Sequence, residues 1–518
     1  MADKPGHADV LIAGAGPTGL VLALWLTKLG VPVRIIDKVA EPGTTSRALA
    51  VQARTLEFYQ QIGLAQAVVE RGHQVAALNL WVKSARAARV PIGNLGQAVT
   101  AFAFPTIFPQ DEHERLLIAR LSELGVEVER PVELTAFEDD GTEIRATLSK
   151  AGSEETGTYA YLAGCDGARS KVREVLNTGF PGGTYDHLFY VADVEAAGPP
   201  MNGELHIALD EADFLAVFPL QDTGRARLIG SIRDDAAKDH EHLHFDDVRA
   251  RAMQNLKIDV KRVNWFSTYR VHHRVALSFR KGRAFLLGDA AHIHSPVGGQ
   301  GMNTGIGDAV NLAWKLAAAL KEPFSAALLD SYEPERIAFA QRLVATTDRA
   351  FTAVISPGAW ARFVRTKAVP ALAPALFRVP AVRRFAFRTI SQVAVNYRAS
   401  FLSVGVAGSV HGGDRLPWVG VGTSADASNF AALTSLDWQI HVYGDAATDI
   451  RALSDRRKIP LHVFAWRPAM EGSGLRRGAV YLVRPDGYVA LASPTPSAAA
   501  IDSYLDQRKI RAIGQIFG

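Results

Sequence analysis

Two glycine-rich segments of the chain hold residues that could bind a nucleotide. The first reads Gly14-Ala-Gly16-Pro-Thr-Gly19 and follows the apolar segment Val10–Ala13. A strand, a glycine turn and a helix in this order predict a dinucleotide site. Gly14 allows the tight turn, Gly16 lets a pyrophosphate approach the backbone and Gly19 allows close helix packing. The N-terminus of the helix would face the phosphates.

Asp37 is the candidate ligand of a ribose. It follows a second apolar segment, Val33–Ile36. The carboxylate that accepts hydrogen bonds from ribose hydroxyls lies roughly 20 residues beyond the glycines in such units, and Asp37 has this spacing. The first segment does not distinguish NAD from FAD, because both cofactors present an adenosine diphosphate to it.

The second segment favours a flavin. It contains Gly288-Asp289-Ala-Ala-His292, followed by the loop Pro296-Val-Gly298-Gly299-Gln-Gly301-Met302-Asn303. The apolar residues 284–287 predict a strand that ends at Asp289, and the glycines let the chain lie against a flat ring. Apolar residues at helical spacing follow up to Leu320, so a helix N-terminus points back at the loop. That helix end stabilises the negative charge of a reduced flavin by about 0.3–1 kcal/mol.

A third motif lies between these two segments and reads Gly164-Cys165-Asp166-Gly167-Ala-Arg169-Ser-Lys-Val-Arg173. With the three motifs in this order, the chain resembles the single-component FAD-dependent aromatic hydroxylases, the family of p-hydroxybenzoate hydroxylase, phenol hydroxylase and pentachlorophenol monooxygenase. The resemblance extends over nearly the whole chain. It implies an FAD- and NAD(P)H-dependent monooxygenase that uses dioxygen to hydroxylate an aromatic small molecule, phenolic or polyketide-like, through a flavin hydroperoxide.

The resemblance also assigns roles to single residues. Arg47 and Gln110 would contact the flavin and its ribityl-phosphate chain, and Pro296 would lie beside the reactive edge of the ring. Arg47 and Pro296 are therefore the candidate catalytic residues. The other expected FAD contacts are Gly14, Gly16, Thr18, Gly19, Asp37, Lys38, Asp166, Asp289, Gly298, Gly299, Gly301, Met302 and Asn303.

The residues that activate the substrate are less evident from the sequence. In phenol hydroxylase an aspartate follows two residues after the position that matches Arg47, whereas this chain has Leu49 there. One candidate base is therefore missing. The candidates for an aromatic pocket are Phe214, Phe218 and Pro219, and Tyr269 is a candidate for orienting polar substituents. A purely structural role stays open for each of them.

The order of the motifs predicts an α/β protein of several domains. A Rossmann-like FAD-binding domain is expected from 1–75, 105–180 and 275–350, with an inserted substrate-binding β-sheet domain from 76–104 and 181–274. A helical connection would follow at 351–404, with helices broken at Pro357, Pro370, Pro374 and Pro380. The resemblance implies that 405–518 form a thioredoxin-like domain, which without cysteines performs no thiol redox chemistry.

Composition excludes several classes of protein. Cys165 is the one cysteine of 518 residues, so an intrachain disulfide or a cysteine zinc site cannot form. The formal net charge of +4 is small for a chain of this length, and we find no concentrated basic face or motif of the kind that binds nucleic acid. No metal site is expected, because His292 and His294 lack further clustered ligands. A glycine turn interrupts the apolar run near the start, so we expect a cytoplasmic protein rather than an exported one.

Residues 349–413 contain no Asp or Glu but many arginines. We expect a solvated face that packs against acidic residues of another domain, and contact with a membrane is not expected. A membrane-surface helix and a self-association surface, as in a homodimer, are the alternatives. For the whole chain, two other functions stay open: an FAD-dependent reductase or epoxidase of an isoprenoid, and a non-enzymatic lipid carrier on the same fold.

Overall fold

The computed structural model describes residues 8–43, 48–209, 214–221, 224–232, 243–248, 256–295, 298–321, 326–355, 358–420 and 428–512. Its strands up to the second glycine-rich segment, in chain order, are β1 Val10–Ala13, β2 Val33–Ile36, β3 Ala50–Val51, β4 His73–Gln74, β5 Ala77–Val82, β6 Ala85–Pro91, β7 Thr106–Ile107, β8 Val128–Glu129, β9 Val132–Asp139, β10 Ile144–Lys150, β11 Ser153–Tyr159, β12 Tyr161–Gly164, β13 Gly182–Ala197, β14 Leu205–Leu209, β15 Phe214–Pro219, β16 Arg225–Ile232, β17 Asp259–Val275, β18 Arg280–Lys281, β19 Ala284–Leu286 and β20 His292–Ile293. The later strands are β21 Val404–Ala407, β22 Val410–His411, β23 Gln439–Tyr443, β24 Leu461–Phe464, β25 Val480–Val483 and β26 Val489–Ser493.

The helices connect these strands and cover their faces. In chain order the α-helices that we number are α1 Pro17–Lys28, α2 Ala53–Gln61, α3 Ala65–Arg71, α4 Gln110–Glu123, α5 Lys171–Leu176, α6 Gly301–Lys321, α7 Ala326–Leu329, α8 Tyr332–Ile355, α9 Ala359–Phe363, α10 Val369–Leu376, α11 Pro380–Ile390, α12 Thr448–Arg457, α13 Pro468–Gly472 and α14 Ala498–Gln507. In the described part of the chain, no helix is long and apolar enough to cross a membrane.

A six-stranded sheet with the order β18-β19-β12-β1-β2-β8 brings the three motifs together. Strands β19, β12, β1, β2 and β8 run parallel, so their carboxyl ends lie at one edge. All three motifs follow such ends. Helix α1 packs against α6 beneath this edge, and its side chains from Leu20 to Leu26 are fully buried. The predicted strand, glycine turn and helix at the start of the chain are confirmed.

A second sheet has eight strands in the order β20-β17-β13-β16-β15-β14-β5-β6, and its strands alternate along the chain with those of the six-stranded sheet. We call the six-stranded sheet and the helices packed on it the first unit. Side chains alternate between the two faces of its strands. Tyr190 and Leu228 pack in a core on one face, whereas Val191 and Ile229 pack on the other face, toward Leu49 of the first unit. The segment Ala77–Val82 belongs to this sheet, since β5 pairs with β14.

The helical stretch differs from the prediction at two prolines. Pro370 lies at the start of α10 and Pro374 lies inside it, and neither breaks the helix. A π-helical turn, Val364–Ala368, precedes α10 and joins it to α9 without a break. The amide groups in the first turn of an α-helix have no α-helical partner, so proline is tolerated there. This reason applies to Pro370 but not to Pro374. Pro380 begins α11 as expected, and Pro357 lies outside the described residues.

The acid-free stretch exposes apolar side chains as well as arginines. Trp360 is 76% exposed and Phe385 is 74% exposed. Trp360 also stacks on Phe363, with ring centroids 5.7 Å apart. Arg398 pairs with Asp414, the first acid beyond the stretch, at 2.6 Å. The packing of the whole stretch against acidic residues of another domain stays a prediction.

The last part of the chain forms its own six-stranded sheet, with the order β22-β21-β26-β25-β23-β24. Strands β25 and β26 pair in antiparallel fashion and form a hairpin that turns at Pro485-Asp-Gly487. This unit docks on the first unit through Trp438, whose ring makes an edge contact with Trp314 of α6 at 5.6 Å.

Candidate active site

The first glycine segment forms a close turn with one open position. Gly14 has φ +105°, and a Cβ there would overlap the backbone oxygen of Cys165. A Cβ at Gly19 would overlap the oxygen of Gly14. At Gly16, in contrast, a Cβ would meet no atom within 4 Å. Gly16 is the N-cap of α1, and no side chain caps that helix end. Its amide groups are therefore open to an anion.

Asp37 lies at the end of β2 and fixes the glycine turn from its other side. Its carboxylate accepts hydrogen bonds from the backbone nitrogens of Ala15 and Val39, at 2.8 and 2.9 Å. Arg130 approaches the same carboxylate at 3.4 Å. Lys38 is exposed and lies 4.0 Å from Glu133. Asp37 is thus held beside the turn with its charge partly balanced.

Thr18 connects the first segment to the second. Gly288 adopts φ +58°, and a Cβ at this position would lie 2.7 Å from Thr18 Oγ1. A Cβ at Gly305 of α6 would also overlap Thr18 Oγ1. Both positions therefore require glycine, because Thr18 of α1 approaches them so closely. Asp289 follows Gly288 and thus lies at the same edge of the sheet as Gly14. Asp289 itself is exposed there.

The flavin-loop candidate, Gly298–Asn303, is fixed by the side chain of Asn303. Its Oδ1 accepts from the backbone nitrogen of Gln52 and from Thr55 Oγ1, both at 2.8 Å. Its Nδ2 donates to the backbone oxygens of Ala50 and Gly299 at 2.8 and 2.9 Å. All hydrogen-bonding capacity of the Asn303 amide is thereby used within the protein, so this side chain holds the loop in place. Met302 is half-buried, and Gly301 begins α6.

A buried ionic network lies directly beneath the second segment. Asp308 accepts hydrogen bonds from the backbone nitrogen of Gly288 at 3.0 Å, from His292 Nε2 at 2.7 Å and from Arg336 Nε at 2.6 Å. Burial alone would raise the pKa of Asp308, but the Arg336 guanidinium holds it below its usual value. Arg336 also donates to Tyr397 at 2.8 Å. The sequence analysis missed Asp308; a lone carboxylate in the apolar part of α6 is the signal that could have identified it.

The third motif and α4 complete the surroundings of the sheet edge. Asp166 accepts a hydrogen bond from the backbone nitrogen of Val172 at 3.1 Å, and burial raises the pKa of its carboxyl group. Gln110 donates to Glu114 at 2.8 Å, and burial likewise raises the pKa of Glu114. Burial raises the pKa of the Cys165 thiol well above its usual range, which agrees with a packing role.

Arg47 and Pro296 lie outside the described residues, whereas Ala48, which follows Arg47, and Ser295, which precedes Pro296, are described. Leu49 is buried and packs with Val75, Ile107, Val191, Leu220 and Ile229, and the partly buried side chains against this group include Phe214, Phe218, Trp265 and Tyr269. We call this group the aromatic cluster. It unites three of the four predicted pocket residues. Pro219 is buried next to Phe218 on β15.

Ala50 connects the aromatic cluster to the glycine loop. It packs against the cluster, and a Cβ at Gly299 would lie 2.8 Å from the Ala50 side chain. Gln52 reinforces the contact, because its side-chain nitrogen donates to the oxygen of Gly298 at 3.0 Å. The loop that follows the second motif and the inner face of the eight-stranded sheet therefore meet at residues 49–52.

A buried ion pair at the edge of the aromatic cluster was not predicted. Arg227 of β16 is 1% exposed and donates two hydrogen bonds to Asp193, at 2.6 and 2.8 Å. Its guanidinium lies 5.3 Å from the ring centre of Trp265 and 3.4 Å from the backbone oxygen of Ala48. Arg227 lies between Ala226 and the apolar pair Leu228 and Ile229, and such a charge among apolar residues is the sequence signal that indicates a partner.

The last part of the chain reaches the site through buried charges. Arg415 donates to Glu57 of α2 at 2.8 Å, and Arg54 pairs with Glu57 at 2.9 Å. Arg484 pairs with Glu335 of α8 at 2.8 Å. The contacts of Arg415 and Arg484 connect α2 and α8 to the last part of the chain. Within the described ranges, no group of three His, Cys, Asp or Glu side chains could hold a metal ion.

Comparison with known proteins identifies the family. Residues 7–347 match the family described as the FAD binding domain. The chain belongs to this family. It is 35% identical to the 6-methylpretetramide 4-monooxygenase of Streptomyces rimosus, over 94% of this chain and 91% of that protein. It is 32% identical to the pentachlorophenol 4-monooxygenase of Sphingobium chlorophenolicum, over 67% and 65% of the two chains.

The fold is similar to that of a solved hydroxylase. The structure of the anhydrotetracycline hydroxylase OxyS from Streptomyces rimosus aligns with a TM-score of 0.76 and 28% identity, covering 96% of this chain and 98% of that one. The protein is an FAD-dependent aromatic monooxygenase, as the resemblance carried by the three motifs implied. It uses a reduced nicotinamide nucleotide and dioxygen as co-substrates. The relatives do not support an isoprenoid reductase or a lipid carrier.

The residues present fit FAD. Gly16 leaves open space at an uncapped helix N-terminus, which suits a pyrophosphate. Asp37 lies at the end of the neighbouring strand, where a ribose would follow. Asp289 is exposed at the same sheet edge, and the loop at Gly298 and Gly299 leads from there to the aromatic cluster. The ribose, the pyrophosphate and the flavin portion of the cofactor would thus each meet suitable groups along one edge of the sheet.

Proposed function

We propose that this monooxygenase hydroxylates a polycyclic phenolic molecule of polyketide type, held on the inner face of the eight-stranded sheet. The observation that carries this proposal is the contact at Ala50, which joins the glycine loop to the aromatic cluster. A ring bound against the cluster would lie beside the loop. The names of two relatives, which act on 6-methylpretetramide and anhydrotetracycline, support a substrate with several fused rings.

We propose the following roles for the residues along the cofactor edge. Gly14, Gly16 and Gly19 shape the pyrophosphate site, and Asp37 accepts hydrogen bonds from the adenosine ribose. Asp289 accepts a hydrogen bond from a ribityl hydroxyl. The remaining cofactor contacts that we propose are Thr18, Lys38, Arg47, Gln110, Asp166, Pro296, Gly298, Gly299, Gly301, Met302 and Asn303, with Asn303 acting by holding the loop.

Bound FAD supplies the two-electron chemistry that lets NAD(P)H and dioxygen place one oxygen atom on an aromatic ring. The protein contributes position and exclusion of water. Phe214, Phe218 and Tyr269 present aromatic surface to a planar substrate, and Leu49 keeps that surface apolar. Water must be kept from the site, because it would divert the reaction to hydrogen peroxide. Arg47 and Pro296 remain our candidates for contacts at the reactive edge of the flavin.

We propose the domain assignment of the sequence analysis, with the eight-stranded sheet as the substrate domain and, as the family resemblance implies, residues 405–518 as a thioredoxin-like domain. The mixed six-stranded sheet of the last part and its flanking helices α12 and α14 support this assignment. Without cysteines, the thioredoxin-like unit would act as a structural support for α2 and α8. A cytoplasmic location, where FAD and NAD(P)H are available, is part of the same proposal.

Changing Asp289 to alanine should weaken FAD binding by one to two orders of magnitude. A hydrogen bond to a charged group contributes about 1.5–3 kcal/mol, which corresponds to this loss. The fold should persist, because Asp289 is exposed in the apoprotein. FAD titration of the apoprotein measures the effect. Asp330→Ala, at another exposed aspartate, serves as the control, and an unchanged FAD affinity in Asp289→Ala would refute the assigned role.

The proposed function predicts that an aromatic ligand controls the use of NAD(P)H. The described residues contain one strand–glycine–helix unit of the dinucleotide-binding type, and we assign it to FAD. NAD(P)H would therefore have no unit of its own and would bind transiently. NAD(P)H oxidation should be slow without a ligand and should rise severalfold with a polycyclic phenol. Analogues that cannot be hydroxylated should also stimulate it but release hydrogen peroxide. Equal flavin reduction rates with and without a confirmed substrate, measured anaerobically, would contradict this proposal.

A further inference from the structure

A cavity of about 370 Å³ adjoins the aromatic cluster, and one arginine, Arg383, is among the residues that line it. Its lining includes Val75, Leu95 and Phe104, and it also includes Gln74, Asn94 and Arg383 of α11. The volume falls within the range of small-molecule pockets. Val75 also belongs to the aromatic cluster, so the cavity and the proposed ring site are neighbours.

Arg383 has no partner within the described part of the chain. Its Nε is buried and makes no hydrogen bond, and no ion pair involves its guanidinium. Only this nitrogen is buried, since the Arg383 side chain as a whole is partly exposed. A buried N–H group without an acceptor is costly, because the protein replaces no hydrogen bond that water would give it. A ligand that supplies an acceptor would remove this cost.

The position of Arg383 is fixed by the residues around it. Phe387, one helical turn further along α11, packs so closely on Gly96 that a Cβ at Gly96 would overlap its ring. Residues four apart share one face of a helix, so the anchoring of Phe387 directs Arg383 toward the cavity. Beyond the end of α11, Gln392 donates to Thr304 of α6 at 2.9 Å. The helix that carries Arg383 is thereby connected to the helix of the glycine loop.

The lining of the cavity selects one chemical class of ligand. It contains a cation, two primary amides and apolar walls, and no carboxylate. Residues 349–413, which include α11, contribute no acidic side chain. An arginine binds carboxylates and ionised phenols or enols through charge-assisted hydrogen bonds, and the apolar walls suit the ring system that carries such a group.

We propose that this cavity is a second part of the substrate site, in which Arg383 binds the anionic end of a polycyclic aromatic substrate while another ring lies on the aromatic cluster. The inference rests on the proposed function, because it assumes that the cluster holds a ring. It adds that an acidic group distant from the hydroxylated ring determines affinity. Arg383 is a specificity-determining residue here and takes no part in the oxygen chemistry.

The test uses two matched probes and the FAD-loaded full chain. Anthraquinone-2-carboxylate and the neutral anthraquinone-2-carboxamide are titrated by calorimetry, and the change in flavin absorbance reports binding near the ring. We expect the wild-type protein to prefer the carboxylate by about tenfold or more. Arg383→Gln should lose this preference while binding the carboxamide as before, and Arg383→Lys should keep part of it.

Arg384→Gln is the matched control, since Arg384 is exposed next to Arg383 and its replacement changes the net charge equally. It should retain the full preference. The proposal is overturned if the wild-type protein binds neither probe or binds both equally, or if Arg384→Gln loses the preference as Arg383→Gln does. Stimulation of NAD(P)H oxidation by the carboxamide tests the proposed function separately, because that ligand does not require Arg383.

Discussion

Replacing Gly16 by valine should lower the affinity for FAD by at least about a hundredfold and leave the apoprotein folded. A Cβ at Gly16 would meet no protein atom within 4 Å. The backbone there is extended, with φ −76°, so valine can adopt it. The open space is the path by which a pyrophosphate reaches the amides of α1, and a branched side chain would block it. A hundredfold loss corresponds to about 2.7 kcal/mol.

FAD titration of the apoprotein measures this loss, and thermal unfolding without FAD checks the fold. Gly43→Val is a suitable control, because a Cβ at Gly43 also meets no atom within 4 Å but lies outside the glycine turn. Gly14→Ala should behave differently and destabilise the apoprotein itself, since Gly14 has φ +105° and touches Cys165. If Gly16→Val bound FAD as the wild-type protein does, the proposed position of the pyrophosphate would be wrong.

Asp308→Ala should lower the free energy of unfolding by about 3–5 kcal/mol, because it leaves the buried Arg336 guanidinium without its carboxylate partner. Gly288 would lose its hydrogen bond to Asp308 at the same time, so FAD should also be retained more weakly. Urea denaturation measures the first effect and cofactor titration the second. The exposed pair of Arg280 with Asp330 provides the comparison, since Asp330→Ala should cost only about 0–1 kcal/mol.

A double variant separates the lost partner from the lost packing. Arg336→Met with Asp308→Leu removes both charges and should recover a large part of the stability, because an apolar pair does not require a partner. If Asp308→Ala were as stable as the wild-type protein, the network could not be what supports the second motif.

The cofactor edge could be predicted from the sequence because local rules determine it. Gly14, Gly16 and Gly19 have roles that follow from their spacing between a strand and a helix, and the end of β2 places Asp37. The aromatic cluster could be predicted only in part. Phe214, Phe218 and Tyr269 were identified by residue type, but their contact with Leu49 depends on how two distant sheets pack.

The residues that were missed are buried charges whose partners are far away in the sequence. Asp308 meets Arg336, and Arg227 meets Asp193, across separations that no local pattern encodes. A charged residue in an apolar segment indicates that a partner exists but does not identify it. The prolines were misjudged for the opposite reason. Pro370 lies in the first turn of α10, where proline is tolerated, whereas Pro374 lies inside α10 and the helix still continues, so the local breaking rule did not apply.

The most direct test of the account is the origin of the oxygen atom in the product. The purified FAD-loaded protein would be given NADPH or NADH and a panel of phenols, quinols and polycyclic aromatics under oxygen-18 gas, with products analysed by mass. We predict that polycyclic phenols gain one oxygen-18 atom from the gas and none from labelled water. NAD(P)H oxidation that yields only hydrogen peroxide with every member of the panel, or oxygen that comes from water, would contradict the account.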